Sequence, residues 1–577
     1  MKNKKNKFLQ GALILAGANF LVKIIGALFK VPLRELVGDD GMGIFNVAYQ
    51  IYTFMFIVAT AGFPIAVSKM VAESIARNDE YEARRIFRTA ACLLGVIGLI
   101  GSTLLFAFAE QLAAMLGNPD STLGIKVIAP GVFFISLVSA YRGYFQGKQN
   151  MYPTAGSEVV EAGAKLAIGY VAAAFFMGMA VNSALSDGMM NVSEGQIASS
   201  HTRTMFSASG AIFGVSAGTL LALILMMTIY AFKERGLKTV PVQGTAGRRE
   251  ILKNLIKIAI PITIGASVSS LTSLVDLATI MNRLVVNPDV FDKYSHLFAK
   301  GTEFAQKVAE EGWTGVTLLQ KQANTLYGAY TGQAQTMFNL PLTIVVGLSM
   351  SIVPAISTAL AERNRGEAQT MTQSILRITT LFALPCAVGF FVLSSPILRL
   401  LYSDANAGPL LQKLAFAVPF VALVSVSNSI LQSYGKVYYP VINMLIGGVV
   451  KVLMNYFLIP VWGIDAAPIA TAVCYGIIAL LNLGCIMFIL KVKINFADLF
   501  IKPLCAALVM GAVVAVFYNF MWGVLPESKL VSVAAIGVGA VVYLIAVLLI
   551  RAVKRDDVLN MPKGEKIAAL MTKFKLL

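Results

Sequence analysis

Three lysines lie deep inside long apolar stretches of the chain, where ionisable side chains are rare. Lys23 follows the run GALILAGANFLV, and Lys165 and Lys451 lie within EAGAKLAIGYV and GGVVKVLMNYF. At 1.5 Å per helical residue, each lies about 17–20 Å from the start of its apolar run. A charge at that depth in a bilayer is costly unless it is paired or faces water, so each lysine is a candidate for binding an anionic substrate.

Two acidic residues could balance these charges or bind a coupling ion. Glu161 precedes Lys165 by one helical turn, a spacing that favours an ion pair and would neutralise the lysine. Asp276 lies near the end of the run SSLTSLVDLATIMNRL, where it is expected to be either solvated or paired with Arg283. Lys451 has no acidic neighbour at helical spacing, so a pair within its own helix does not explain it.

Uncharged polar residues gather in two neighbouring apolar stretches and could form a water-lined wall that hydrogen-bonds sugars. These residues are Ser269, Ser270, Ser273, Asn324, Gln333, Gln335 and Asn339. Hydrogen bonding between helices is the alternative use of such side chains. Lys30 and Arg34 lie nearer the end of their apolar run, and we expect their side chains to extend to the membrane surface.

The composition places all these residues in a membrane protein. Of 577 residues, 57% are hydrophobic and 13% are charged, against about 45–50% and about 25% in soluble domains. This excludes a soluble enzyme, a disordered regulator and a secreted disulfide scaffold. Basic cytoplasmic loops explain the formal net charge of +17, so nucleic acid is not predicted as a partner.

The sequence predicts no catalytic, metal or cofactor site. The five cysteines all lie in apolar runs, and the chain has only 2 histidines. The motifs C-x-x-C and H-E-x-x-H do not occur, and neither does the P-loop motif G-x-x-x-x-G-K-[ST]. We therefore predict that the protein is not an enzyme and carries no P-loop ATPase of its own.

Apolar windows predict an all-α polytopic membrane protein with fourteen membrane-spanning helices. These predicted spans, numbered in chain order, are 8–30, 43–69, 89–116, 123–146, 153–180, 207–232, 254–284, 322–357, 373–396, 408–435, 439–462, 464–491, 501–524 and 529–551. The loops on the side of the N-terminus carry far more lysines and arginines than the other loops. Because basic loops stay in the cytoplasm and the number of spans is even, we predict that both termini are cytoplasmic.

The chain also contains an internal repeat. At a constant offset of 286 residues, four positions carry the same residue type in both halves: Gln146 and Gln432, Tyr152 and Tyr438, Lys165 and Lys451, Tyr170 and Tyr456. The repeat predicts two pseudo-symmetric six-helix lobes, at 1–232 and 254–491, joined by a basic cytoplasmic linker at 233–253. Spans 13 and 14 and a basic cytoplasmic tail occupy 492–577. Parallel repeats are typical of transporters that bind substrate between the halves, so we expect the equivalent lysines to share a cationic chamber.

Three segments resemble one family of membrane proteins. RGYFQGKQNMYPTAGSEVVEAGAKL at 142–166 is similar to a segment of the multidrug/oligosaccharidyl-lipid/polysaccharide (MOP) exporter superfamily. The likeness is to its polysaccharide transporter branch, which includes the stage V sporulation protein B and lipid II flippase families. Residues 26–73 and 326–362 resemble the same branch, and the likeness covers nearly the whole chain.

The resemblance implies export of an undecaprenyl-pyrophosphate-linked saccharide, lipid II or a polysaccharide repeat unit, across the bacterial plasma membrane by alternating access. The implied partners are this substrate, membrane lipids, and either H⁺, Na⁺ or the membrane potential as the driving force. Lys23 stands at the basic position of the family's first helix. Glu161 and Lys165 match an acidic and a basic position of its fifth helix, whereas Ala162 replaces the usual Gln. Spans 13 and 14 would form a groove for the lipid tail.

Two other functions stay open. A cation-coupled multidrug exporter of the same superfamily would need carboxylates deep in the lobes, whereas the deep charges of this chain are mostly lysines. A membrane glycosyltransferase or polymerase would need a general base or metal-binding carboxylates at the membrane face. Asp39, Asp40 and Asp465 are the carboxylates available for that role.

The lysines provide a direct test of the expected chamber. Replacing Lys23 or Lys451 with alanine is predicted to abolish export, because the anionic headgroup loses a charge partner, while the protein still inserts in the membrane. Export by each variant is measured together with its amount in the membrane. Full activity of both variants would rule out the predicted role of these lysines.

Overall fold

The computed structural model describes residues 2–186, 192–234, 247–299, 302–361, 363–402, 404–525 and 528–553. All regular elements in this part of the chain are helical, which confirms the all-α prediction. Ten segments of the described residues are long and apolar enough to cross a membrane. Two of them, Gly17–Ala76 and Tyr438–Phe488, have 60 and 51 residues, whereas one crossing needs about 20. The number of fourteen spans stays a prediction.

The chain divides into two compact units, which we call unit 1 and unit 2. Unit 1 comprises Met1–Gly332 and Tyr456–Gly463, and unit 2 comprises Gln333–Asn455 and Ile464–Leu577. This division follows packing, whereas the lobes predicted at 1–232 and 254–491 follow the sequence repeat. The predicted lobe and linker boundaries therefore stay a prediction.

Unit 1 contains eleven of the helices in the described residues. They are α1 (Lys2–Thr60), α2 (Phe63–Ala76), α3 (Glu80–Ala107), α4 (Ala109–Met115), α5 (Thr122–Gly147), α6 (Tyr152–Ser186), α7 (Val192–Glu234), α8 (Arg248–Leu284), α9 (Ser295–Phe298), α10 (Glu303–Glu311) and α11 (Gly315–Ala329). Short 3₁₀ helices precede α5 and α9 at Pro119–Ser121 and Pro288–Tyr294.

A glycine separates the first two predicted spans within α1. Gly38 has φ 70° and ψ −179°, so two helical segments meet at a kink there. Only glycine adopts such a backbone conformation without strain. The predicted gap at 31–42 contains this kink, although helical structure continues closer to it on both sides than the hydropathy indicated.

Close backbone contact holds α6 against α7. A Cβ atom on Gly214 of α7 would lie 2.2 Å from the Cα of Gly169 on α6, and one on Gly210 would lie 2.6 Å from the carbonyl oxygen of Ala172. Small residues at such crossings let backbones approach where lipid offers no hydrophobic drive for helix association. The alignment of α6 with its neighbours therefore depends on these glycines.

The long connection after α8 is helical. Thr302 caps α10 by accepting a hydrogen bond from the backbone N–H of Ala305 at 3.2 Å. Gly312 ends α10 in the left-handed conformation with φ 63°. The side chain of Trp313 is buried beside Phe304, at a ring-centroid distance of 5.9 Å. The connection is thus a packed part of unit 1.

Unit 2 contains the remaining helices of the described residues. They are α12 (Gln335–Ala361), α13 (Arg365–Leu401), α14 (Gly408–Leu414), α15 (Val418–Ser433), α16 (Tyr438–Trp462), α17 (Ala466–Phe488), α18 (Lys502–Val524) and α19 (Lys529–Leu549). The last turns of α16 belong to unit 1. Two π-helical segments, Tyr330–Ala334 and Ala497–Ile501, precede α12 and α18.

The predicted span 322–357 is not one uniform helix. The π-helical segment Tyr330–Ala334 separates α11 from α12, and the boundary between the units falls inside it. Hydropathy cannot detect this change, because a π-helical turn needs no change in composition. Such segments are rare and often mark functional sites.

The glycine crossing of α6 and α7 supports a stability prediction. Gly214→Ala should lower the unfolding free energy by roughly 1–3 kcal/mol, since the new methyl group forces the helices apart. Gly163→Ala on α6 is the matched control, because its Cβ meets nothing within 4 Å. Thermal unfolding of the detergent-solubilised variants measures the difference. Equal unfolding temperatures would contradict the close crossing.

Candidate functional site

Lys165 of unit 1 lies over two aromatic rings, with Lys30 near it and Lys23 near one of the rings. We call Lys23, Lys30 and Lys165 the lysine cluster. The Nζ atom of Lys165 on α6 lies 4.0 Å from the ring centroid of Tyr49 and 5.4 Å from that of Phe29, both on α1. Lys30 interacts electrostatically with Lys165, and Lys23 interacts electrostatically with Tyr49. The structure thus brings together two of the three predicted lysines and adds Lys30.

The kink in α1 and a glycine on α6 build this arrangement. Phe29 and Tyr49 lie on opposite sides of Gly38, and Phe45 connects them at centroid distances of 5.9 and 5.5 Å. Gly169 lets α6 approach, because a Cβ there would lie 3.1 Å from the Phe29 ring. The aromatic rings therefore form a surface along α1 on which the Lys165 ammonium group rests.

The lysine cluster can bind an anion. The side chain of Lys23 is exposed, and those of Lys30 and Lys165 are half-buried. An aromatic face stabilises an ammonium group by about 0.5–2 kcal/mol, which does not cancel its charge. The like charges of Lys30 and Lys165 repel one another, and an anion between them lowers the energy of both. Phosphate is a suitable anion, since lysine binds it as a compact point charge.

A buried ion pair lies one helical turn from the cluster. Arg142 of α5 donates from Nε to the Ser157 hydroxyl at 3.0 Å and from Nη2 to Glu161 at 2.9 Å. The Arg142 and Glu161 side chains are 7% and 20% exposed. The carboxylate predicted to pair with Lys165 is thus a counter-charge for Arg142, while the described contacts of Lys165 are with aromatic rings.

Arg142 was not singled out from the sequence, although this residue lies near the end of the predicted span 123–146. The structure continues α5 to Gly147. Gly143 and Gly147 give the available signal: they are one helical turn apart, and both pack against α2. A Cβ atom on Gly143 would lie 2.8 Å from the carbonyl oxygen of Pro64, and one on Gly147 would lie 2.7 Å from the Cβ atom of Val71. Glycines at this spacing indicate a close helix crossing, so the end of α5 that carries Arg142 is expected to pack against another helix.

The equivalent positions of unit 2 carry amides instead of charges. At the repeat offset, Arg142 corresponds to Asn428 and Ser157 to Asn443. Asn482 of α17 donates to Asn428 at 2.8 Å and accepts from Asn443 at 2.8 Å. These side chains form a neutral interhelical network. Lys451 of α16, the equivalent of Lys165, is buried, and its predicted role in substrate binding stays a prediction.

The acidic candidate Asp276 lies on α8 within unit 1. Its side chain is buried and interacts electrostatically with Tyr327 of α11. Arg283, its expected partner, stacks on the Tyr456 ring at 3.9 Å and donates to the Tyr456 carbonyl at 3.1 Å. Ser273, one turn before Asp276, is exposed. A role of Asp276 in ion coupling stays a prediction.

The predicted polar wall separates into two groups. Asn324 is buried in unit 1, where its amide donates to the Asp40 carbonyl at 2.9 Å and accepts from Asn118. This is the interhelical bonding given as the alternative. Gln335 is half-buried and Asn339 is exposed on α12 of unit 2, where both remain candidates for a water-lined surface.

Arg34, whose side chain was expected to extend to the membrane surface, forms an ion pair within unit 1. Its side chain is 8% exposed and pairs with Asp39, at 2.9 Å from Nη2 and 3.0 Å from Nε. The two residues lie on either side of the Gly38 kink. The kink brings the Arg34 guanidinium group next to the Asp39 carboxylate, which hydropathy alone would assign to a loop. On α11, Gly328 packs against the same turn.

Comparison with protein families supports a relationship over most of the chain. Residues 8–360 match the sequence model of the family described as "Polysaccharide biosynthesis protein". Residues 324–550 match the model described as "Lipid II flippase MurJ". Among curated proteins of Bacillus subtilis, stage V sporulation protein B is 24% identical over 97% of this chain and 98% of its own. The lipid II flippase MurJ is 24% identical over 93% and 94%.

Solved structures share the fold. The inward closed conformation of a lipid II flippase MurJ matches with a TM-score of 0.63 and 14% identity, covering 93% of this chain and 98% of that one. The inward-facing conformation of a multidrug resistance MATE transporter of the MOP superfamily matches with a TM-score of 0.57 and 14% identity, covering 83% and 99%. At these identities the likeness establishes the fold alone.

The buried pair of Arg142 and Glu161 can be tested by a double-mutant cycle. Arg142→Met should lower the unfolding free energy by about 3–5 kcal/mol, because it leaves a partly buried carboxylate without its partner. Adding Glu161→Met should recover part of that loss, since one of the two carboxylates near Arg142 is then absent. Thermal unfolding of the single and double variants provides the measurement. A double variant less stable than Arg142→Met would contradict the pairing.

Proposed function

We propose, since the chain belongs to the polysaccharide biosynthesis protein family of the MOP exporter superfamily, that this membrane transporter moves an undecaprenyl-pyrophosphate-linked saccharide. The saccharide is lipid II or a polysaccharide repeat unit, carried from the cytoplasmic to the outer face of a bacterial plasma membrane by alternating access. Both termini lie in the cytoplasm in this proposal. The multi-pass architecture and the bacterial relatives support it.

The lysine cluster is the observation that carries the proposal. Lys165 lies over aromatic rings. Glu161 does not cancel its ammonium charge, because Glu161 forms an ion pair with Arg142. A pyrophosphate group brings negative charge to the place where the ammonium groups of Lys30 and Lys165 repel one another. The linked sugars need polar surroundings, because their hydroxyl groups are costly to transfer into hydrocarbon.

The membrane potential can supply the driving force. A potential that is negative inside favours outward movement of an anion by about 2.3 kcal/mol per charge per 100 mV. A doubly charged headgroup gains roughly twice that amount. The direction of this force agrees with export. The positive charge of the lysines is the charge needed to bind an anionic headgroup.

Four contacts engage carboxylates that the alternative functions would use. A cation-coupled multidrug exporter needs a carboxylate available to its substrate; Arg142 engages Glu161, whereas Glu158 Oε2 has no hydrogen-bond partner among the described residues. The carboxylates offered for a glycosyltransferase are likewise engaged: Asp39 pairs with Arg34, Asp40 bonds Asn324, and Asp465 pairs with Lys413 at 2.6 Å. The family membership also favours a transporter over an enzyme.

A depletion-and-rescue assay tests the proposal. In a bacterium depleted of its own lipid II flippases, this protein should restore lipid II to the outer surface, where a probe added outside detects it. Lys165→Ala should lower the exported fraction at least tenfold, because the headgroup loses its central charge partner. Lys126→Ala is the matched control, since Lys126 forms an outer pair with Glu110 at 2.8 Å, away from the lysine cluster.

Two outcomes would change the proposal. Full rescue by Lys165→Ala, at equal amounts in the membrane, would remove the lysine cluster from headgroup binding. Failure of the unaltered protein to rescue, with verified membrane insertion, would exclude lipid II and leave other lipid-linked saccharides as the substrate.

A further inference from the structure

A second carboxylate lies beside Arg142 and is not used by the ion pair. Glu158 is on α6, one turn before Glu161, and its side chain is half-buried. Arg142 and Glu161 both act on it electrostatically. Its Oε2 atom is buried and has no hydrogen-bond partner among the described residues. A buried carboxylate oxygen without a donor is costly, so this position needs an occupant that the ion pair does not supply.

A buried hydroxyl group points to the same place. Tyr52 of α1 is 4% exposed, and its hydroxyl lacks a hydrogen-bond partner within the part of the chain that the structure describes. Glu161 and Arg142 are its electrostatic neighbours. Tyr52 thus faces the Arg142 pocket from a third helix and offers both a donor and an acceptor.

The charges in this pocket do not balance. One guanidinium group faces two carboxylates, those of Glu158 and Glu161. The ammonium group of Lys165 lies over the Tyr49 ring on the side of the lysine cluster. At this level α7 contributes Gly218, whose Cβ position is 2.7 Å from the Glu161 carbonyl oxygen. One negative charge is left over, and an uncompensated charge at this depth is costly.

We propose that Glu158 is a proton-binding site, formed with Tyr52, Arg142 and Glu161, that couples proton uptake to binding at the lysine cluster. A proton from water forms an O–H bond at the Glu158 carboxylate. The pocket then holds one positive and one negative charge, and the new O–H group has the Tyr52 oxygen as an available acceptor. Uptake itself does not depend on the proposed function, whereas its coupling to an anionic headgroup does.

Coupling follows from charge and proximity. Protonation of Glu158 removes one negative charge about two helical turns from Lys165, roughly 10 Å along α6. The positive potential at the lysine cluster rises, and an anionic headgroup binds more tightly. By linkage the bound headgroup favours proton uptake by the same factor. Release of the proton on one side of the membrane would then weaken the hold on the headgroup there.

Infrared spectroscopy of the purified full-length protein tests proton uptake without any substrate. A titration from alkaline to mildly acidic buffer should reveal a C=O stretching band of a buried protonated carboxyl group. Glu158→Gln should remove this band. Glu73→Gln is the matched control and should keep it, since the Glu73 side chain is 60% exposed on α2. Tyr52→Phe, which removes only the hydroxyl group, should keep the band and shift its midpoint.

Three outcomes would overturn the assignment of the proton to Glu158, and a fourth would refute only the transport proposal. A band that persists unchanged in Glu158→Gln would place the proton on another residue. Absence of the band in the unaltered protein would exclude uptake, whatever the transport assay shows. Loss of the band on adding sodium at constant pH would assign the pocket to sodium. A failed rescue assay together with a band that depends on Glu158 would refute the transport proposal alone.

Discussion

An ionised side chain inside an apolar helix bundle is stable only if other groups replace the water that it has lost. This constraint accounts for the polar contacts of unit 1. Arg142 is held by Glu161 and Ser157, and Arg34 is held by Asp39. Lys165 is the exception, because aromatic rings support its ammonium group without cancelling its charge. This difference in pairing is why the proposed headgroup site is centred on Lys165.

The two sequence repeats satisfy the same constraint in different ways. Position 142 carries a guanidinium group, whereas the equivalent position 428 carries an amide. The amide of Asn428 belongs to a neutral network with Asn443 and Asn482, which needs no counter-ion. Charge that could respond to protons is therefore concentrated in the first repeat, although both repeats keep the lysine of α6 and α16. The two repeats therefore differ in charge at equivalent positions, and in our proposal only the first repeat binds a proton.

Backbone features place these side chains. The kink at Gly38 directs both segments of α1 toward α6, and Gly169 lets the helices approach closely. Without these glycines, the aromatic surface under Lys165 would not form. The site is therefore a consequence of helix geometry as much as of its charged residues, and substitutions remote from any charge can disturb it.

The sequence by itself determined the membrane class, the helical content, the family and two of the lysines at the site. Apolar runs and repeats are local patterns, so they can be read without knowing which helices touch. Tertiary structure decided that Glu161 pairs with Arg142, that Asn324 joins a buried network, and that Lys30 belongs with Lys165. Partners on different helices are set by crossing angles and close backbone approach, and no sequence period records these.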